Sequence, residues 1–191
     1  GICVLDATDM SISKGFWAYR ASTSTASTML AGCEDGQGNA VFCMTDASQS
    51  YRPIIKASLT NGAIQAQRRY YYNGQHVQFE QMYLGKDGYI YGTAYHAADP
   101  FVIWICMDPS DLSVVSASKI TDNSNNDVER SLQSMAHDAD KNVYYSVGLH
   151  DSNCQKIAVV KIPSGGIGTF SSSTHDFKAT EITITETALS G

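Results

Sequence analysis

Charge is scarce in this chain. Only 17% of its 191 residues are charged, Lys and Arg together number 13, and the formal net charge is −6. So few cations on an acidic background exclude a nucleic-acid binder held by phosphate contacts. Long apolar runs are lacking too. The longest, Phe101–Met107, is far short of the ~20 residues a membrane-spanning helix needs. The first ten residues carry two Asp and no basic segment, unlike a secretory signal. The five cysteines, Cys3, Cys33, Cys43, Cys106 and Cys154, form an odd set with no C-x-x-C pair. They supply neither a disulfide framework nor two close metal ligands, and are expected as free thiols in a reducing compartment.

What is present points to β structure. Ser and Thr together number 36, Tyr numbers 11, and aromatics make up 10% of the chain. That aromatic content with low charge density argues against disorder. The length suits one domain with a real core. The chain opens on Gly1 rather than Met, so the protein is expected to extend upstream.

A repeat runs through the sequence. One copy reads Gly88–Ala94, a polar gap, then Phe101–Asp108; another reads Asn142–Gly148, a gap, then Lys156–Pro163. An earlier copy reads Met29–Gly32, a gap holding Asp35-Gly36-Gln37-Gly38, then Asn39–Asp46. Ile2–Ser11 lies over Ile105–Ser113, which puts Cys3, Cys43 and Cys106 at one repeat position, filled by Lys161 in the last copy. Spacings of about 40 to 62 residues overlap those of propeller blades. Within one unit the pattern predicts strands over Gln81–Leu84, Tyr89–Ala94, Phe101–Met107 and Ser113–Lys119, with Lys86-Asp87-Gly88 as a tight turn. The alternation Glu181–Glu186 predicts one further strand. Asn126–Gln133 could form a helical turn.

Chemical motifs are few. The histidines, His76, His96, His137, His150 and His175, include no pair at metal-binding spacing. Asp122–Asp127 has the oxygen donors of a calcium loop, but Asp127 stands where Gly is needed and Gln133 where Glu is needed. It reads as a solvated loop. No Gly-x-Ser-x-Gly elbow, Ser-x-x-Lys set or His-Glu-x-x-His occurs. In Arg68–Tyr72, Arg69 and Tyr71 would share one strand face, and Arg68, Tyr70 and Tyr72 the other. Arg69, Tyr72 and Trp104 are the candidate contacts for a glycan or a partner protein, set against core or cross-strand packing for the same aromatics. No catalytic residue, metal or cofactor is expected.

The turn motif, the aromatic strand ending in Gly and the apolar strand ending Lys161-Ile162-Pro163-Ser164-Gly165 resemble SBBP-like β-propeller-type repeats. Asn61–Arg68 resembles their outer-strand signature. Such repeats occur in bacterial surface proteins and in virion proteins of tailed bacteriophages. The close of the repeat region, Val160–Phe170, resembles that of marine phage structural proteins. The resemblance spans residues 28–170 and has departures: Ala66 replaces a usual Trp, and Cys43 and Cys106 replace a usual Lys.

The resulting expectation is an all-β, propeller-like array over residues 1–166, with about three four-stranded blades and the outer strands of a fourth. Residues 167–191 would form a Ser/Thr-rich C-terminal strand segment. Three blades cannot close a propeller of 4 to 8, so further blades are expected from upstream sequence or a neighbouring subunit. The resemblance implies a structural component of a bacteriophage virion, in a tail, fibre or decorating appendage, assembled in the host cytoplasm. Its partners would be other virion proteins, copies of itself or a host surface glycan, with no nucleic acid and no membrane span. Alternatives are a virion-associated glycan depolymerase and a bacterial surface adhesin.

Overall fold

In the computed structural model the chain is all-β. The structure describes residues 2–5, 8–9, 12–16, 27–46, 53–96, 102–122, 134–151, 154–162, 170–171 and 177–189. A first antiparallel meander comprises β3 (Ser27–Glu34), β4 (Asn39–Asp46), β5 (Ile54–Ser58) and β6 (Ile64–Tyr72). A second comprises β7 (Gln75–Leu84), β8 (Ile90–His96), β9 (Val102–Met107) and β10 (Val114–Asp122). A third has three strands, β11 (Ser134–His137), β12 (Val143–Asp151) and β13 (Cys154–Ile162). β1 (Ile2–Leu5) and β2 (Ile12–Phe16) form a separate hairpin. β14 (Phe170–Ser171), β15 (Phe177–Glu181) and β16 (Thr185–Ala188) complete the set. No closed barrel or propeller forms among the described residues.

The first two meanders meet at a two-residue turn. Asn73 and Gly74 both have positive φ, 49° and 76°, the pairing that lets a tight hairpin match the strand twist. Only Tyr71 and Tyr72 of β6 pair across this turn with β7. β7 then leaves β6 and runs beside β3. A register shift between Phe79 and Gln81 marks a bulge, so Val77, Phe79 and Met82 all turn inward. β9, Val-Ile-Trp-Ile-Cys-Met, is buried at every position, as befits a strand covered on both faces.

Those two faces face different neighbours. Ile103, Ile105 and Met107 join Val41, Ile54 and Tyr70 of the first meander in one core cluster. Trp104 and Cys106 join Val143, Tyr145 and Ile162 of the third in another. The three meanders are therefore stacked in sequence order, each burying one face of the next.

Several sequence expectations need correction. In the first unit, Asn39–Asp46 is the second strand, equivalent to β8, and not the counterpart of Phe101–Asp108. The third strand there is β5, hidden because Ile54–Ser58 is short and holds a lysine. Cys43 consequently does not share the Cys106 position. Ladder registers Val41↔Lys56, Tyr91↔Cys106 and Tyr144↔Lys161 align Lys56, Cys106 and Lys161 instead. Gln81–Leu84 is the end of a ten-residue strand, since the Asn73-Gly74 turn starts β7 earlier. Asn126–Gln133, most of the Asp122–Asp127 loop, and Pro163–Thr169 lie outside the described residues.

The expected single strand over Glu181–Glu186 is divided between β15 and β16. β15 pairs with the outer edge of β10, and β16 with the outer edge of β6. The ladder breaks where the chain crosses from one meander's edge to the other's. Ile182 N still donates to Ala117 O at 3.0 Å, and by Thr185 the partner is Tyr71. Both outer edges, otherwise open to strand addition, are thereby covered. Ile184 enters the core cluster shared by the first two meanders. Ile184→Asp is expected to cost about 2–4 kcal/mol by placing a charge there. Amide exchange should rise in β6 and β10 together; a rise confined to residues 177–189 would contradict this placement.

Candidate functional site

Turns 35–39, 58–63, 85–89, 108–113 and 138–142 lie at one end of the stack, opposite the Asn73-Gly74 turn, and carry much of its polar chemistry. Leu59 N donates to Gly38 O at 2.9 Å, linking two turns of the first meander. A Cβ on Gly36 would touch the Leu84 side chain, so the first turn lies against the end of β7. Tyr83, also near that end, stacks on His137 at the end of β11, with ring centroids 5.1 Å apart.

The first turn of each unit is built on an aspartate. Asp35 Oδ1 accepts from Gln37 N at 2.8 Å and Asn39 N at 3.0 Å, and Oδ2 accepts from Asn39 Nδ2 at 2.7 Å. Asp138 repeats the pattern with Asn142, whose N and Nδ2 donate at 3.0 and 2.8 Å. The backbone closures match: Asp35 N to Asn39 O is 3.0 Å and Asp138 N to Asn142 O is 3.1 Å. In the second unit Gly85 N closes on Tyr89 O at 2.8 Å, and Asp87 supplies the carboxylate, accepting from Tyr89 N and Tyr91 OH.

The third strand then reaches back to that turn. Lys56 Nζ lies 3.0 Å from Asp35 Oδ2, and the two side chains are 6% and 0% exposed. At the equivalent position Lys161 Nζ lies 3.8 Å from Asp138 Oδ2, with the lysine 53% exposed. Burial works against ionised Asp35, but hydrogen bonds from Asn39 and Lys56 and from the Gln37 and Asn39 amides outweigh it, holding its pKa below the ordinary value. In the middle unit the position holds Cys106, whose thiol is pushed up to about 12 by burial first and then by Asp87. Burial and Asp35 likewise raise Cys33 to about 12. Neither is a nucleophile at neutral pH.

The second turns are duplicates. Ser58 N donates to Ala63 O at 2.9 Å and Gly62 N to Ser58 O at 2.8 Å; Asp108 N donates to Ser113 O at 2.9 Å and Leu112 N to Asp108 O at 2.8 Å. Gly62 and Leu112, at one position, have φ of 74° and 66°. A left-handed leucine is unfavourable, and complete burial of its side chain in the core compensates.

The 108–113 turn is gripped by three side chains of the preceding meander. Lys56 Nζ donates to Pro109 O at 2.7 Å, Arg68 Nε to Asp111 O at 2.7 Å, and Tyr70 OH to Leu112 O at 2.6 Å. Arg68 also reaches Asp111 Oδ2 at 2.7 Å and Glu186 Oε2 of β16 at 3.3 Å. Tyr70 is buried edge-on to Phe79, and burial, with Glu186 next, raises its pKa. Hydrogen bonding from Ser113 leads the causes that lower Asp111. The arrangement is a unit-to-unit clasp in which cations and a hydroxyl satisfy turn carbonyls.

The structure does not bring Arg69, Tyr72 and Trp104 together. Arg69 faces Thr187 of β16 in the ladder, and Tyr72 packs against the first core cluster. Trp104 is 2% exposed, edge-on to Tyr145 with centroids 4.7 Å apart, in the second cluster. The cavity beside it, of about 10 Å³ and lined partly by Tyr91, Thr93 and Val143, has room for about one water. Among the described residues no group of three or more His, Cys, Asp or Glu could hold a metal. Sequence reasoning missed Lys56, Asp111 and Glu186. A lone lysine inside Ile54-Ile55-Lys56-Ala57 was the available signal, since a buried ammonium needs a partner.

Comparisons with protein-family models, curated proteins and solved structures find no match to this chain.

Lys56→Met is expected to cost about 3–5 kcal/mol, because it strands a buried carboxylate and a turn carbonyl. Adding Asp35→Asn should recover part of that loss. Asp35 has a lower pKa folded than unfolded, so its stabilisation is full above the unfolded value of about 3.9 and fades as pH falls through the folded one. Asp35→Asn should therefore flatten the acid limb of stability below about pH 4. Denaturant melts across that range check both.

Proposed function

We propose that this chain is a structural, interaction-bearing module: consecutive blades of a propeller-like array in the appendage of a virus particle, of the kind its repeats resemble in tailed bacteriophages. The observation that supports an array is the directional repetition of one interface. Ile54 and Lys56 of the first unit's third strand face the second unit, Trp104 and Cys106 of the second unit's third strand face the third, and the ladder registers place these pairs at equivalent positions. The first strands β3 and β7 lie side by side, and Tyr83 near the end of β7 meets His137 of β11, which also suits blades around an axis. Polar groups in this reading serve turns and unit contacts, and the work of the module is to present a rigid surface for assembly.

Peptide mass spectrometry and antibody labelling of purified particles from the source population test the reading. The chain is expected among particle proteins, with label at an appendage. Its absence from washed particles would contradict the proposal. Release of new reducing ends from host polysaccharide by the purified protein would favour a depolymerase instead.

A further inference from the structure

A tyrosine is buried at each junction between meanders, and the two hydroxyls are served differently. At the first junction Tyr70 is edge-on to Phe79, with ring centroids 5.5 Å apart, and its hydroxyl donates to Leu112 O at 2.6 Å. At the second, Tyr145 is fully buried and edge-on to Trp104, with centroids 4.7 Å apart. Its hydroxyl has no hydrogen-bond partner among the described residues. A buried hydroxyl left unpaired is costly, and nearly all such groups in folded proteins are met by protein or by ordered water.

The cavity of about 10 Å³ at this second junction has Tyr145, Val143 and Ile162 of the third meander in its wall, with Thr93 and Trp104 of the second. That volume takes roughly one water and nothing larger, and a buried water needs about two to four polar partners. The wall supplies them: the Tyr145 hydroxyl, the Thr93 hydroxyl and the buried Trp104 indole N–H. Tyr91 also lines the cavity, but its hydroxyl is committed to Asp87. Burial raises the Tyr145 pKa, and the Trp104 and Thr93 side chains act to lower it, as polar groups close to its hydroxyl do. We propose that one buried water occupies this cavity, accepting from the Tyr145 hydroxyl and from Trp104 Nε1 and donating to Thr93 Oγ1. It joins the third meander to the second, as Lys56 joins the second to the first, and it does so where Cys106 stands at the lysine's position. The inference stands on the cavity and the hydroxyl and is independent of the repeat-array reading.

A crystal structure of the unmodified chain, at a resolution that shows ordered water, tests this. Density for one water is expected in the cavity, about 2.5–3.2 Å from Tyr145 Oη, Trp104 Nε1 and Thr93 Oγ1. The density should be missing when Tyr145→Phe is combined with Thr93→Val. That variant keeps the ring and the branched side chain but leaves the wall nearly apolar, and apolar cavities stay dry. In solution, nuclear Overhauser transfer from a long-lived water to the Trp104 indole proton is expected in the unmodified chain and should be lost in the variant, whose fold circular dichroism checks. An empty cavity in the unmodified chain would overturn the proposal, whether or not the variant folds. So would a direct hydrogen bond between the Tyr145 hydroxyl and Thr93 or Trp104, or a water signal unchanged in a folded variant.

Discussion

A buried ammonium sets the terms of this structure. Lys56 lies at the junction of the first meander's aspartate turn and the second meander's 108–113 turn, and it satisfies both. Taking a lysine and an aspartate out of water is costly unless geometry and extra hydrogen bonds offset it. Here Asp35 accepts from the Asn39 side chain and from the Gln37 and Asn39 amides as well as from the lysine. The turn thus prepares the anion, the anion places the cation, and the cation fixes where the next meander can sit. Apolar burial supplies most of the driving force, but it is non-directional; the clasp gives the stack its register.

The third unit keeps the aspartate turn and the lysine, and the second keeps the aspartate's role through Asp87 while replacing the lysine with Cys106. That replacement follows from its neighbours. Cys106 packs with Trp104, Val143, Tyr145 and Ile162, so the contact between the second and third meanders is the more apolar of the two. Arg68 and Tyr70 act only at the first junction, where Glu186 of the C-terminal segment also enters. The tail is consequently more than an edge cover. Its carboxylate accepts from Val114 N at 3.3 Å and from Arg68, joining both meanders to β16.

Much of the strand content was legible because β9 and β13 are apolar runs and the turns carry Asp, Asn and Gly. The unit boundaries were harder to read. Aligning Asn39–Asp46 with Phe101–Asp108 treated two apolar strands as equivalent by composition, whereas the aspartate turns equate Asn39 with Tyr89 and Asn142. Asn73-Gly74 was the strongest hairpin signal in that region, and it lengthens β7 by starting it at Gln75. The clasp itself was not legible. It joins residues more than forty positions apart, and neither Arg68 nor Asp111 has a local pattern that names its partner. Aromatic residues chosen as surface contacts, Trp104 above all, take places that depend on which unit lies opposite, a property of the stack and not of the strand.

The central claim is that Lys56 couples the first two meanders and does not merely close its own turn. Native-state amide hydrogen exchange of Lys56→Met, compared with the unmodified chain, tests this most directly. The account predicts lost protection in β8, β9 and β10 as well as in β4 and β5. Loss confined to Asp35–Asn39 and β5, with the second meander unchanged, would contradict it.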